Sequence, residues 1–419
     1  LIASKIKSSL LIVFKSKYKK EQKNLNNKNQ VLYFPHKGVA YSNVFIKDYC
    51  YDYRSSLHPL SQKKILHIEY DYKDKKSIDS VIKVYKKNKS RFFIVNDSIG
   101  VKTFKLMFNS IKEKKMLFFL RFGKESFNRF IIYLVTTVEF NQYYSQMAPI
   151  NARMAIIGYD ILFPKSLALV LHRKKILTIS TQERFPIAFS GNYNVCTDIY
   201  LTWGRFVEGR INSDRGFNYV GEFKVVGPPR VDLIKSLGNS EKYNQKTGLY
   251  KKIVAVFDGG DGYSVHENRK ALINSWSAVK LFLNDVLILA ERNTDVFFIL
   301  RTRDPSWMKD KYFSKVIRKI KEFKNVRYDM DFSELHQQYK ILNASDLVIA
   351  QHTSIADEAL AIGMPVIFHD YSPYSNKIYA SNFDYENSRM FCHSRNDFID
   401  KFDTVISNGR LISECEKRY

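Results

Sequence analysis

The sequence predicts an α/β protein built from two parallel-sheet domains that face a cleft. Short apolar runs of strand length alternate with longer amphipathic segments in both halves of the chain. Its 419 residues suit two or three domains rather than one. A polar stretch bearing glycine and proline, VVGPPRVD (Val225–Asp232) and then SLGNSEKYNQKTG (Ser236–Gly248), separates the halves. Alternating strands and helices give parallel βα units, because a parallel pair needs a crossover long enough to hold a helix. The boundaries that follow are a basic leading segment (1–28), a first domain (29–228), a second domain (229–395) and a C-terminal helical segment (396–419).

In the first domain, QVLYFP (Gln30–Pro35), KILHIEY (Lys64–Tyr70), RFFIVND (Arg91–Asp97), KMLFFLRF (Lys115–Phe122), ARMAIIGYD and KKILTIST read as strands. Helical spacing fills Lys76–Lys89 and Val101–Lys114. In the second, KKIVAVFD (Lys251–Asp258), DVFFILRTRD (Asp295–Asp304), NVRYD, DLVIAQ and PVIFHD read as strands. Helices are expected over His266–Ala290, Lys309–Lys324, Ser333–Asn343 and Ile355–Ile362. The halves share an architecture without a sequence repeat.

A formal charge of +25 points to an anionic partner: nucleic acid, a membrane surface or a phosphorylated small molecule. The basic clusters, such as Lys15–Lys20, Lys73–Lys76 and Lys112–Lys115, come with no recognised nucleic-acid module, so no nucleic-acid partner is expected. Lysines that solvate helix faces account for the clusters equally well. Four dispersed cysteines (Cys50, Cys196, Cys392, Cys415) form no CxxC, which argues against a zinc site or a disulfide framework and for a reducing, cytoplasmic setting. No apolar run approaches the ~18 residues of a membrane span. The leading LIASKIKSSLLIVFKSKYKK lacks a small-residue cleavage site. It reads either as a solvated helix or as a basic amphipathic helix lying on the anionic inner face of a membrane.

The stretch VIAQHTSIADEALAIGMPVIFHD (Val348–Asp370) carries the most chemistry. An apolar run ends at Ala350 and delivers Gln351, His352, Thr353 and Ser354 to the carboxyl edge of a sheet, where such sheets bind ligands. Thr353 or Ser354 would cap the next helix, whose first N–H groups and dipole favour an anion. Asp357 and Glu358 suit a bare phosphate cradle poorly. A glutamate there fits if it accepts hydrogen bonds from ribose hydroxyls; an ordinary capped helix is the plainer alternative.

QHTSIADEALAIGMPVIFHD resembles the C-terminal nucleotide-binding motif of GT-B glycosyltransferases, with NASDLVIA before it and VVGPPRVD entering the second domain. The resemblance implies two Rossmann-like domains. It also implies a donor phosphate at Thr353 or Ser354 and a ribose at Glu358. Gln351 beside them is a further donor-site candidate, and His352 either bonds phosphate or sugar or is a satisfied structural histidine. Within that superfamily, LYFPHKGVAYSNVFIKDYCY (Leu32–Tyr51) is similar to bacterial surface-polysaccharide biosynthesis proteins. STQERF (Ser180–Phe185) and VFDGGDGYS (Val256–Ser264) resemble the carboxylate stretches of the retaining β-Kdo transferases. This second likeness implies a CMP-Kdo donor, no metal or other cofactor, and a covalent glycosyl-enzyme route. The acceptor would be a lipid-linked or oligosaccharide glycan of lipopolysaccharide or capsule.

The residues have their own chemistry. Asp258 ends a strand ahead of two glycines, which suits a cleft-edge nucleophile and suits a turn equally. Glu183 follows the strand KKILTIST and is the candidate acid/base, or else an exposed partner of Arg184. Arg301 and Arg303 leave a strand at the same edge. One of them would meet the donor's phosphate or carboxylate while the other pairs with Asp304. His36 and Lys37 after Pro35, and Lys47 before Asp48, are candidates for sugar or acceptor contacts. Tyr41, Tyr49, Tyr51 and Tyr53 either line an acceptor groove or pack a loop. The enzyme alternative is an inverting transferase using a UDP- or GDP-sugar. The alternative of another class is a basic nucleic-acid-binding protein.

Overall fold

A computed structural model describes residues 30–34, 65–69, 83, 92–95, 123–158, 163–182, 195–213, 218–228, 230–237, 249–258, 276–302, 305–330, 336–351, 353–369, 371 and 390–408. The chain divides into two compact units. The first is Leu1–Glu183, Phe189–Thr202 and Ile211–Lys224; the second is Arg184–Ala188, Trp203–Arg210 and Val225–Tyr419.

The first unit holds a seven-stranded sheet of order β3-β2-β1-β4-β5-β6-β7. Its strands are β1 (Gln30–Phe34), β2 (Ile65–Glu69), β3 (Phe92–Ile94), β4 (Ala152–Ile157), β5 (Leu177–Thr181), β6 (Cys196–Thr202) and β7 (Tyr219–Val225). Neighbours from β1 to β6 pair in parallel. Helix α1 (Gly123–Met147) precedes β4, α2 (Lys165–Arg173) follows it, and α3 (Arg205–Ser213) follows β6. Leu32, Phe34, Ala155, Leu167, Val170 and Leu171 form a core between sheet and helices.

The sequence reading found β1 to β5 but not β6, β7 or α1. Helix α1 carries the run FIIYLVTTVEF, whose β-branched and aromatic residues favour strands locally. Packing decides instead: Val138, Tyr143 and Met147 are buried in the fold. Strand β6 carries Asp198, which reads as a turn residue in sequence. In the fold its Oδ2 accepts hydrogen bonds from the Thr178 N–H at 2.7 Å and the Thr178 hydroxyl at 2.8 Å. Strand β7 is mostly exposed, so it carries no buried run to find. Gly221 sits in it because an added Cβ would meet the Asp198 carbonyl oxygen at 2.6 Å. The strand expected at Lys115–Phe122 and the helix at Val101–Lys114 lie outside the described residues. So does Lys76–Lys89, apart from helical Lys83.

The second unit holds a six-stranded sheet of order β10-β9-β8-β11-β12-β13, parallel throughout. Its strands are β8 (Lys252–Phe257), β9 (Val296–Arg301), β10 (Val326–Tyr328), β11 (Leu347–Ala350), β12 (Val366–His369) and β13 (Phe391–Cys392). Its helices are α4 (Arg230–Ser236), α5 (Trp276–Arg292), α6 (Ser314–Glu322), α7 (Gln337–Asn343), α8 (Ser354–Ala361) and α9 (Arg395–Asn408). Counted from β8, this is the doubly wound order 3-2-1-4-5-6. The helix expected over Lys309–Lys324 is broken. Two 3-10 turns, Pro305–Lys309 and Lys311–Phe313, precede α6, with the Asp310 side chain accepting from the Tyr312 N–H at 2.8 Å.

Both faces of this sheet are covered. Val254, Val256, Phe298 and Leu300 pack against Phe282, Val286 and Phe402 on one side. Ala255, Phe257 and Ile299 pack against Tyr339, Leu342, Ile355 and Ala359 on the other. Each such large side chain stabilises by about 1.5–3 kcal/mol on full burial. After α8 the chain reverses at Gly363, whose φ of 81° is open to glycine at little cost. The Gly363 N–H donates to Leu360 and the Met364 N–H to Ala359, closing the helix and starting β12.

One carboxylate ties three segments of this unit together. Asp285, fully buried in the apolar helix α5, accepts at Oδ1 from Arg395 Nε at 2.7 Å. Its Oδ2 accepts from the Tyr371 hydroxyl at 2.6 Å and lies 2.9 Å from His369 Nε2. Burial pushes the Asp285 carboxyl up, but the bonds from His369, Tyr371 and Arg395 outweigh it and hold it below the ordinary carboxylate value. A depressed folded value gives stability that is present above the ordinary carboxylate value and lost as pH falls through the folded one. Asp285→Ala leaves a buried imidazole and a half-buried phenol without their acceptor. It should cost about 3–5 kcal/mol in chemical denaturation at neutral pH, and the gap to the parent should narrow in acid.

Candidate functional site

The carboxyl edge of the second sheet collects the candidates. Strand order reverses between β8 and β11, which is where an open α/β sheet leaves a crevice for a ligand. Asp258 follows β8 on one side of that switch point and Gln351 follows β11 on the other. The Gln351 N–H donates to the Phe257 carbonyl at 3.1 Å, which holds the two strand ends together.

The pleat sorts what happens next. Phe257 pairs in register with Arg301, so both belong to the face covered by α7 and α8. Asp258 has the opposite parity and belongs with Val254 and Val256, on the face covered by α5. The two residues that sequence placed side by side therefore lie on opposite faces. Asp258 is 7% exposed. Across β9 on its face stands Tyr328, whose phenol is pushed well up, first by burial and then by the Asp258 charge. Arg301 is nine-tenths buried, and its Nη1 donates to the fully buried Asp329 Oδ2 at 2.6 Å. The sequence reading expected a partner for one arginine at Asp304; for Arg301 the structure gives Asp329.

At the end of β11, Gln351 is buried and its Nε2 donates to the Ala278 carbonyl at 3.4 Å, toward α5. Thr353 is the N-cap residue of α8, with extended φ −147° and ψ 140°, and its hydroxyl makes no capping bond. Ser354 opens the helix and is partly exposed. Asp357 and Glu358 both turn inward, at 4% and 1% exposure. Burial first, and then the neighbouring Glu358 charge, push the Asp357 carboxyl well above the ordinary carboxylate range. Glu358 Oε1 accepts from Arg230 Nη1 at 2.9 Å, and its carboxylate also meets the Tyr339 hydroxyl. Glu183, Arg303, His352, His36, Lys37 and Lys47 lie outside the described residues, as do the tyrosines at 41, 49, 51 and 53.

Arg230 and Tyr339 escaped the sequence reading. Arg230 reads as the solvated start of a helix after two prolines, and its partner is 128 residues away. Tyr339 reads as core. The buried Asp285 had a legible signal, a lone acid inside the apolar run WSAVKLFLNDVLILAER. At the start of α7, Gln337 is fully buried with no hydrogen-bond partner for either amide atom among the described residues, and His336 before it has φ 62°. Among the described residues no group of three or more His, Cys, Asp and Glu could hold a metal ion. No described helix is long and apolar enough to cross a membrane.

No protein-family model matches the chain, and no curated protein sequence matches it. Solved structures do. One is described as a UDP-N-acetylglucosamine 2-epimerase from Listeria monocytogenes. It superposes with a TM-score of 0.53 at 10% identity, over 94% of this chain and 92% of that one. The UDP-GlcNAc 2-epimerase from Neisseria meningitidis bound to UDP-GlcNAc gives a TM-score of 0.50 at 10% identity, over 90% of this chain and 91% of that one. The fold is GT-B, two parallel-sheet α/β domains.

Two outcomes test the electrostatics of the site. A carboxyl raised in the folded state costs stability as pH rises from the ordinary carboxylate value toward the folded one. Asp357→Asn should therefore raise the melting midpoint at neutral pH, with a gain that grows from about pH 4 upward. Gln337→Met removes two unsatisfied polar atoms at similar volume and should add about 1–3 kcal/mol in chemical denaturation.

Proposed function

We propose that this chain is a glycosyltransferase that uses a nucleotide sugar, with the nucleotide seated on the second unit where β11 gives way to α8. The observation that carries the reading is the reversal of strand order between β8 and β11, with Asp258 and Gln351 at the two strand ends and the first turn of α8 following Gln351 closely. Thr353 holds the N-cap conformation without spending its hydroxyl on the cap, and Ser354 presents a second hydroxyl. Backbone N–H groups and the helix dipole at that point favour a phosphate. The Neisseria structure of the same fold is described as holding UDP-GlcNAc, which agrees with a nucleotide sugar as ligand. A lipid-linked or oligosaccharide acceptor at an anionic membrane face fits the charge of +25.

The finer reading keeps CMP-Kdo as donor, on the strength of the sequence resemblance alone. An Asp258 oxygen would attack the anomeric carbon as the bond to the phosphate oxygen breaks and CMP leaves with the electron pair. The acceptor hydroxyl, deprotonated by Glu183, would then displace Asp258, so that two inversions give retention. A second reading is an inverting transfer from a UDP- or GDP-sugar without covalent attachment. It is favoured by the burial of Asp258 on the α5 face.

Incubation of the full chain with a panel of UDP-, GDP- and CMP-sugars and a glycan acceptor should release nucleotide from one of them. CMP-Kdo would be generated in situ for that panel. Asp258→Asn should lower turnover roughly a hundredfold or more while nucleotide binding survives. Under the retaining reading, intact-protein mass spectrometry shows a sugar adduct on the Asp258 peptide and the product keeps the donor's anomeric configuration. An inverted product without an adduct selects the second reading. Interconversion of a UDP-sugar with no acceptor needed would set aside transfer altogether.

A further inference from the structure

The resemblance of α8 to a nucleotide-binding helix gives Glu358 to the ribose. The side chains around it give a different arrangement. Glu358 is 1% exposed, while Arg230, whose Nη1 reaches it at 2.9 Å, is 24% exposed. The member of the pair that a ligand can reach is the arginine.

Its position agrees. Arg230 is the first residue of α4, and the Ile234 carbonyl one turn later accepts from Asn343 Nδ2 at 2.7 Å. Asn343 ends α7 just ahead of β11, at the amino edge of the sheet. Helix α4 therefore runs against the strands, and its first residue lies toward the carboxyl edge, beside the first turns of α8. Arg301, which the sequence expected at the phosphate, is nine-tenths buried against Asp329.

We propose that Arg230 is the guanidinium that meets the donor's phosphate, and that Glu358 is the positioning residue that orients it. The inference rests on the reading that a nucleotide seats at α8. A guanidinium carries its N–H donors in a rigid planar fork, so one bond from Nη1 to a fixed carboxylate sets the plane of the rest. Glu358 is itself fixed, since its carboxylate also meets the buried Tyr339 hydroxyl. Such a held fork suits a phosphate, with which arginine forms paired charge-assisted bonds.

The test compares ligands with and without phosphate on the full chain: CMP and UDP against cytidine and uridine, by calorimetry and ligand-observed NMR. Arg230→Gln should weaken CMP or UDP about ten- to hundredfold and leave the nucleosides within about twofold. The slope of affinity against ionic strength should flatten by about one released counterion. Arg230→Lys should keep part of the affinity, and Glu358→Gln should show the same phosphate-selective loss at smaller size. Circular dichroism checks each variant; if Arg230→Gln fails to fold, Arg230→Lys and Glu358→Gln carry the comparison.

Equal losses for nucleotide and nucleoside, disappearing with 2′,3′-dideoxy ligands, would return Glu358 to the ribose and overturn the inference. So would nucleotide binding untouched by any of these variants, although the nucleotide seat itself would then stand. A parent chain that binds neither CMP nor UDP overturns the seat, and the inference falls with it.

Discussion

The second sheet is buried on both faces, and most of what matters in this unit follows from that. A parallel strand with two covered faces cannot hide a polar residue along its length, so polar groups gather where the strands stop. Which way each one turns is then decided by the pleat. Asp258 continues the parity of Val254 and Val256 toward α5, and Arg301 continues that of Phe257 and Ile299 toward α7 and α8. A shift of one residue in where a strand ends would exchange those destinations. The chemistry at the edge is thus set by the register of an apolar core that takes no part in it.

The strands of that core were readable because they are runs of Val, Ile, Leu and Phe with little ambiguity. The motif QHTSIADEALAIGMPV was readable because a cap, a short helix and a Gly-x-Pro turn each leave local marks, and α8, Gly363 and β12 bear them out. What stayed hidden depends on contacts across the chain. The face to which Asp258 turns depends on pairing between strands, not on its neighbours in sequence. The commitment of Arg301 to Asp329 crosses 28 residues and that of Arg230 to Glu358 crosses 128. Helix α1 was obscured for the opposite reason: its local composition favours a strand, and tertiary packing overrides it.

The acidic pair in α8 shows how one helix holds two carboxylates in different environments. Glu358 has a cation and a phenol against it, and it bears the charge that pushes its neighbour upward. Asp357 has burial and a like charge, and it is driven toward its neutral form. A pair of adjacent acids that reads in sequence as two equal negative charges is thus unequal in the fold: Asp357 resists ionisation and Glu358 faces Arg230. The arginine supplies a positive charge to the same neighbourhood, so the balance near the helix start is closer to neutral than the sequence suggests.

The carboxylate of Asp285 has a consequence for the order of events as the chain is made. Its partners arrive late: His369 is 84 residues further on, Tyr371 is 86 and Arg395 is 110. Helix α5 can condense on β8 and β9 as soon as they exist, but until His369 and Tyr371 follow it carries a bare acid into an apolar interface, and Arg395 at the start of α9 completes the set. The unit therefore has a built-in reason to stay loose during synthesis and to lock fully only when α9 is delivered. A ribosome stalled before Arg395 would hold all six strands without Phe398 and Phe402 of α9 to cover them, an apolar surface that a chaperone could recognise.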